Sequence, residues 1–393
     1  MEEERRKGFC LMVVAGEVSG DHHAAGLCRH LLRLAPDTEI FGMGGSEMAS
    51  VGVEVVERIE GKGVVGIWEA VRALGDFRRL FRRLEGVLDA RRPDALLLID
   101  FPGFNLRFAR AARRRGIPVI YYICPQVWAW GRGRLRKIRR FVNRLLVIFP
   151  FEREFFAGYG IEAEYVGHPL VDRLAEFPSR ARARQELGEG SGTLIGLLPG
   201  SRLGEIERIY PTLLASARRL RKRREGLRFI TPVSAPELGE KIASLAAASG
   251  VGVRLIEGRS REVMAAADLV LVASGTATLE TALAETPLIV VYRVSVFSWL
   301  AGLVLIKIPW ISLVNIVAGR RVVSEFIQHR ARPEAIAAEA EKLLDPSGKE
   351  RIGMLGEFKK IRAELGEAGA RERAARAVLQ ALKELDGTRK PRE

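Results

Sequence analysis

Residues 9–21 read Phe-Cys-Leu-Met-Val-Val-Ala-Gly-Glu-Val-Ser-Gly-Asp, seven apolar positions that run straight into a loop of glycine, serine and acid. An uninterrupted apolar run bounded by a glycine loop describes a strand buried on both faces, as in a parallel sheet, rather than one with a wet face. The pattern recurs three times. Ala95–Ile99 leads into Asp-Phe-Pro-Gly-Phe-Asn at 100–105, Thr193–Leu198 into Pro-Gly-Ser-Arg at 199–202, and a strand near 269–272 into Ser-Gly-Thr-Ala-Thr-Leu-Glu at 274–280. Four loops therefore gather at the carboxyl edges of parallel strands, where α/β folds hold ligands. Two fall in each half, the layout of a two-domain enzyme that clamps one substrate per domain.

Working outward, the first half also predicts strands at Glu39–Gly42, Val119–Ile123, Leu145–Ile148 and Glu164–Val166, with helices over 22–34, 69–91, 105–115 and 132–143. A break at 168–193 contains His-Pro, Phe-Pro and Gly-Glu-Gly-Ser-Gly. Beyond it come strands at Phe229–Pro232, 253–256 and Leu288–Tyr292 and helices over 205–224, 236–249 and 276–285, then a charged helical tail over Pro333–Leu385. This β/α alternation, twice over, predicts the α/β class: two doubly wound Rossmann-like domains facing across a cleft. The expected bounds are 1–175 for an acceptor-side domain, 176–350 for a donor-side domain, and 351–393 for C-terminal helices and tail packing back across the domains.

The charge balance is uneven: 63 Lys and Arg against 48 Asp and Glu leave +15. Between Arg107 and Arg144 lie twelve basic residues and no acid, a field that attracts anionic lipid, nucleotide or nucleic acid. Cys10, Cys28 and Cys124 sit in apolar or helical contexts and form no disulfide framework, which points to a reducing compartment. The N-terminal Met-Glu-Glu-Glu-Arg-Arg-Lys does not read as a signal peptide. The apolar run Val294–Val317 carries Lys307 and Pro309 near its centre, which is costly in a membrane span, so a helix around Phe297–Ile306 followed by a buried loop or strand is expected. Over Gly66–Arg92, Ala70, Leu74, Phe77, Phe81, Leu84 and Leu88 draw one apolar helical face. Two readings stand: a core-facing helix with a solvated basic side, or an interfacial patch of Val64, Val65, Ile67, Trp68, Leu74 and Phe77 flanked by five arginines.

The loops carry the chemistry. Gly16, Ser19 and Gly20 open a helix whose N–H groups can hold a phosphate or sugar hydroxyl; the alternative is a tight turn with Asp21 as a helix cap. In the second half, Gly200 permits close approach and Arg202 can fork onto a diphosphate, against a plain surface ion pair to Glu205 or Glu207. Ser274–Thr276 begin another helix, and Glu280, a turn along it, can accept both hydroxyls of a ribose. Asp100 ends an apolar strand beside Phe101, Pro102 and Phe104, where lost hydration raises a carboxyl toward the range of a general base; its alternative role is a helix N-cap ahead of Asn105. Other patterns fall short. Gly-Lys-Gly-Val-Val-Gly at 61–66 follows a Glu-rich segment and lacks a tight strand–turn–helix context, His22 and His23 point to different helix faces, and no His/Cys set or Asp-x-Asp pair suggests a metal. His168-Pro169 more readily shapes a cleft than ligates an ion, and no GxSxG elbow is present.

Eight motifs in order resemble one family, the lipid-A-disaccharide synthases, inverting glycosyltransferases of the GT-B fold. They are Gly-Glu-Val-Ser-Gly-Asp (16–21), Ile-Asp-Phe-Pro-Gly-Phe-Asn (99–105), Pro-Gln-Val-Trp-Ala-Trp (125–130), Pro-Phe-Glu (150–152), Val-Gly-His-Pro (166–169), Leu-Leu-Pro-Gly-Ser-Arg with Glu-Ile-Glu (197–207), Ala-Ser-Gly-Thr-Ala-Thr-Leu-Glu (273–280) and Ser-Leu-Val-Asn-Ile-Val-Ala-Gly-Arg (312–320). Gln126 stands where serine is common, and the family often has other residues at His22 and His23. The resemblance implies transfer of 2,3-diacylglucosamine from UDP-2,3-diacylglucosamine to the 6-hydroxyl of 2,3-diacylglucosamine 1-phosphate, giving a β-1,6 disaccharide and UDP. It makes Asp100 the base and Arg202, with the helix opened at Ser274–Thr276, the stabiliser of the departing diphosphate, without metal or cofactor. It assigns Gly200, Ser201, Arg202, Ser274, Gly275, Thr276, Glu280, Arg293 and Asn315 to the donor, and Gly16, Ser19, Gly20, Asn105 and Gln126 to the acceptor. It also implies work at the cytoplasmic face of an anionic inner membrane, no nucleic acid, and leaves homodimerisation open. Rival readings are a related GT-B transferase of lipid-linked cell-wall precursors, a UDP-N-acetylglucosamine 2-epimerase, or a basic nucleic-acid-binding protein; the last lacks any module motif.

Overall fold

The computed structural model describes residues 8–59, 67–129, 131–295, 299 and 308–387. The chain divides into two compact units, Met1–Asp172 with Glu367–Glu393, and Arg173–Gly366. Each is built on one parallel sheet. In the first unit the strands are β1 (Cys10–Ala15), β2 (Glu39–Gly44), β3 (Glu54–Arg58), β4 (Ala95–Ile99), β5 (Val119–Tyr122), β6 (Arg144–Val147) and β7 (Glu164–Tyr165), in spatial order β3-β2-β1-β4-β5-β6-β7. In the second they are β8 (Leu194–Leu198), β9 (Arg228–Val233), β10 (Val253–Glu257), β11 (Leu269–Ala273), β12 (Leu288–Tyr292) and β13 (Ser324–Ile327), in order β10-β9-β8-β11-β12-β13. Both are doubly wound α/β sheets. The central strands β1, β4, β8 and β11 are buried along their whole length, the state their unbroken apolar runs demand.

The strands that the apolar runs did not announce are β3 and β13, both at sheet edges. β3 reads Glu-Val-Val-Glu-Arg and stays partly exposed, so its sequence carries no buried-strand signal. Helix starts also differ. The second predicted loop is shorter than expected because Pro102 takes the first turn of the helix Pro102–Arg114, where its missing N–H costs nothing. The segment expected as one helix over 132–143 is a 3₁₀ turn, Arg132–Arg134, followed by Leu135–Phe141.

Residues 351–393 are shared between the units. The helix Lys349–Glu364 belongs to the second, whereas Ala370–Gly387 packs on the helix Val18–Leu34 of the first. Asp172 accepts the backbone N–H groups of Gly369, Ala370 and Arg371 at 2.7–2.9 Å, capping that last helix. Arg373 ties the same turn to the carbonyls of Val166, Glu367 and Ala368.

The apolar stripe at 70–88 lies on the helix Ile67–Arg91. Leu84 and Leu88 are fully buried, so this part faces the core. Phe77 and Phe81 are half-buried, with ring centroids 5.1 and 5.5 Å from that of Phe104. Phe77 therefore sits where the stripe leaves the core. Val64 and Val65 lie outside the described residues, as do the side chains of Ile67, Trp68 and Leu74 and the helix expected around Phe297–Ile306. Among the described residues no helix is long and apolar enough to cross a membrane.

Candidate active site

In each sheet the strand order reverses between two central strands, β1/β4 and β8/β11, and the four loops singled out in the sequence follow those strands. Loops at such a switch point diverge to opposite faces and leave a crevice at the carboxyl edge.

Asp100 and Phe101 follow β4 with φ of +47° and +46°, two consecutive non-glycine residues in the left-handed region. Such geometry costs roughly 1–3 kcal/mol per residue and persists only where the surroundings impose it. Here they do. The Asp100 N–H donates to Tyr122 (3.3 Å), and its carbonyl accepts the Tyr121 hydroxyl (2.7 Å) and the Asn105 amide (2.8 Å). Gly16 is needed opposite, because a Cβ there would stand 2.1 Å from the Phe101 ring. The cap position of the following helix is Phe101, so Asp100 is not its N-cap. Burial, reinforced by the nearby charge of Glu17, pushes the Asp100 carboxyl up to about 6, although the Phe101 N–H favours the ionised form.

Asn105 is one of the residues expected to contact the acceptor. It is fully buried, and its Nδ2 donates to the carbonyls of Asp100 and Ile99 (2.8 and 3.2 Å). Its work is to shape the Asp100 turn. Ser19 is exposed at the mouth of the first loop, while Gly20 is buried near Ala15 and the Ile99 carbonyl. Asp21 does cap a helix, but a distant one: its carboxylate accepts the N–H groups of Gly45, Glu47 and Met48 at 2.8–3.2 Å.

Gln126 is half-buried in a turn between Ile123, which has φ +56°, and Trp128. The Trp128 indole donates to Glu152 at 3.0 Å, and Glu152 also accepts the N–H groups of Ile148 and Phe149. Burial without a cation pushes this carboxyl up to about 7. His168 is buried, its Nδ1 accepting the Leu170 N–H at 3.2 Å, and burial drives it down to about 3, so it stays neutral.

In the second unit Gly200 has φ +108°, and a Cβ there would lie 2.4 Å from the Glu205 carboxylate. That carboxylate accepts the Ser201 N–H (3.3 Å) and pairs with Arg202 (3.2 Å), whose side chain is 74% exposed. Glu207 pairs instead with Lys241 at 2.9 Å. An exposed pair of this kind is worth little, so it leaves the Arg202 guanidinium able to exchange partners. Gly275 and Thr276 are exposed at the start of the helix Thr276–Leu283. Glu280 is mostly buried, which raises its carboxyl, while Arg173 (3.5 Å) and Arg261 oppose the rise. Arg293 is half-buried just beyond β12.

Two residues expected to bind the donor make internal hydrogen bonds. The Ser274 hydroxyl donates to the Ile311 carbonyl at 2.8 Å. Asn315 is fully buried and spends its whole amide: Nδ2 donates to Val323 and Glu325, and Oδ1 accepts from Val322 and Val323, all at 2.7–2.9 Å. The Asn315 side chain, expected on the donor side, is thus fully engaged in holding the segment behind the loop. Glu325 completes this network by accepting the N–H groups of Ile311 and Ser312. The sequence reading missed Tyr121, Glu152 and Glu325. Glu152 alone left a trace, standing in the Pro-Phe-Glu motif three residues after the cap residue Phe149, whose N–H it accepts.

A pair of Rossmann-like domains whose Gly-rich and acidic loops fall at both switch points is a GT-B architecture, and solved structures agree. The S. aureus MnaA–UDP co-structure superposes with a TM-score of 0.64 at 12% identity, covering 98% of this chain and 99% of that one. CalG4, the calicheamicin glycosyltransferase, gives 0.61 at 14% identity over 96% and 99%. At such identity these neighbours establish the fold alone. The family is set by sequence: the lipid-A-disaccharide synthetase profile matches residues 11–380. The lipid-A-disaccharide synthase of Myxococcus xanthus (strain DK1622) is 42% identical over 373 residues, 95% of this chain and 97% of that protein. That of Geobacter sulfurreducens (strain ATCC 51573 / DSM 12127 / PCA) is 43% identical over 376 residues, again 95% and 97%. The chain belongs to the lipid-A-disaccharide synthase family.

Proposed function

We propose that the chain moves 2,3-diacylglucosamine from UDP-2,3-diacylglucosamine to the 6-hydroxyl of 2,3-diacylglucosamine 1-phosphate, forming the β-1,6 disaccharide 1-phosphate and UDP. Membership of the family makes it a glycosyltransferase that builds the lipid A disaccharide. The observation that carries the detailed reading is Asp100, a carboxylate held in a strained turn at a switch point and raised to about 6. It is ionised at neutral pH yet basic enough to take a hydroxyl proton. In a single displacement, the acceptor oxygen gives that proton to Asp100 and bonds to the anomeric carbon as the bond to the diphosphate breaks, the electron pair leaving with UDP. One displacement inverts the anomeric centre.

Arg202 exchanges Glu205 for the diphosphate, and the exposed helix start at Gly275–Thr276 adds N–H groups and a favourable dipole to the developing charge. Glu280 holds the ribose hydroxyls. Ser19, exposed beside the Asp100 loop, serves the acceptor. Because both substrates carry acyl chains, the enzyme works at the anionic cytoplasmic face of the inner membrane, reached through the Val64–Phe77 stripe. Mass spectrometry of the purified chain with both acylated glucosamines tests this. Formation of the disaccharide and its loss in Asp100→Asn are expected. Epimerisation of a UDP-sugar without acceptor, or no disaccharide, would overturn the reading.

A further inference from the structure

A groove of about 370 Å³ lies on the first unit, away from the strand ends, lined by the helices Ile67–Arg91, Pro102–Arg114 and Leu135–Phe141. Arg107, Arg110 and Arg114 line one side, and their spacings of three and four place them on a single helical face. Lys137 and Phe141, one turn apart, line the facing helix. The floor is apolar, formed by the buried Leu106 and the half-buried Phe81.

These charges are poorly balanced. Glu85 is the acid in the lining, and it pairs with Arg115 at 3.1 Å, as Asp89 does at 2.7 Å. Arg110, Arg114 and Lys137 have no acidic partner among the described residues. Cations crowded around an apolar floor repel one another, and an anion with an apolar portion relieves both the repulsion and the exposed floor.

We propose that this groove is a binding site for an anionic glycerophospholipid, its phosphate held by Arg110, Arg114 and Lys137 and the start of its acyl chains laid on Phe81 and Phe141. The proposal rests on the reading that the chain works at an anionic lipid surface, and it names the side chains that recognise that surface. The acceptor's own phosphate is a poor fit. At a rise of about 1.5 Å per residue, Arg110 and Arg114 lie about 12 and about 18 Å along the helix from Pro102, further from Asp100 than one hexose ring spans. Nucleic acid fits no better, since the groove's aromatic rings form its floor rather than a stacking platform. The groove also adjoins the stripe proposed to meet the membrane, for the Arg107 guanidinium lies 5.4 Å from the centre of the Phe77 ring.

The test is co-sedimentation of the full chain with vesicles of phosphatidylcholine alone or containing about one third phosphatidylglycerol, at fixed ionic strength. The unaltered chain should bind the anionic vesicles and not the neutral ones. Arg110→Glu, Arg114→Glu and Lys137→Glu together should weaken that binding by roughly tenfold or more. The control Arg218→Glu, Arg221→Glu and Lys222→Glu makes the same charge change at exposed positions of the helix Leu203–Arg223 in the second unit and should cost about twofold or less. UDP affinity and the melting temperature should stay unchanged in both. Equal losses in the two sets would overturn the site, because net charge alone would then explain the binding. A higher acceptor KM for the groove variant in lipid-free neutral detergent would overturn it too, by making the groove an acceptor subsite. If the unaltered chain ignores anionic vesicles, the surface reading fails and this one with it; if only the groove variants behave as the control does, the surface reading survives alone.

Discussion

At the scale of single residues, Asp100 combines a catalytic demand with a cost to stability. Asp100→Asn should lower kcat by roughly 10²- to 10⁴-fold with little change in KM, read by steady-state kinetics. For the unaltered chain kcat/KM should rise with pH and level off above about 6, following the ionised carboxylate. The same shift acts on stability with a definite sign. The folded carboxyl titrates above its ordinary 3.8, so it imposes no penalty below that value. Between 3.8 and about 6 the penalty grows as the unfolded chain ionises first, and it is complete above about 6. Thermal melts of the Asn variant should show a gain of up to about 3 kcal/mol well above pH 6, closing toward pH 3.8. Across the second sheet's switch point, Arg202→Ala and Glu280→Ala should separate. Arg202 is exposed and paired only at the surface, so its loss should leave the melting temperature alone, lower kcat and raise the donor KM. Glu280→Ala should act mainly on the donor KM. Unchanged UDP affinity in both variants, by calorimetry, would remove the donor from these loops.

At the scale of elements, loops are held by side chains that need never touch substrate. The turn bearing Gln126 hangs on Trp128, and Trp128 on Glu152, whose three donors are an indole and two backbone N–H groups. Glu152→Gln puts a buried amide donor where only acceptors are wanted and should cost about 1–3 kcal/mol by thermal melt. If the turn shapes the acceptor pocket, both this variant and Trp128→Phe should raise the acceptor KM and leave UDP affinity intact. A lowered UDP affinity would show that the damage is general. Asn315 and Glu325 brace the segment that follows Ile311 in the same way.

At the scale of the whole molecule, the last helix belongs with the first unit, although nearly two hundred residues separate them. Ala370, Ala374, Ala375, Val378, Ala381 and Leu382 are buried there, and Asp172 caps the helix start. Removing residues 367–393 should therefore expose apolar surface on the helix Val18–Leu34 and lower the melting of the first unit by several degrees. UDP binding, proposed above for residues within Arg173–Gly366, should persist. A truncated chain with unchanged melting behaviour would count against this assignment.

What the amino-acid order alone determined is the α/β class, the central strands and the loops that follow them. Runs such as Leu11–Ala15 and Leu269–Ala273 are apolar at every position, and a strand buried on both faces must be. The place of Asp100, Arg202 and Glu280 at strand ends or on the helices that follow was legible for the same reason, because the end of an apolar run marks the sheet's edge. Of the edge strands β7 and β10 were legible, but β3 was not, since one open side lets charge into its pattern. Nor were the braces. That Asn105 grips Asp100, that Tyr121 reaches the same carbonyl, that Glu325 saturates Asn315 and that the last helix returns to Asp172 all depend on residues brought together from different elements. A hydrogen bond depends on distance in space, and only the tertiary structure brings those partners within reach.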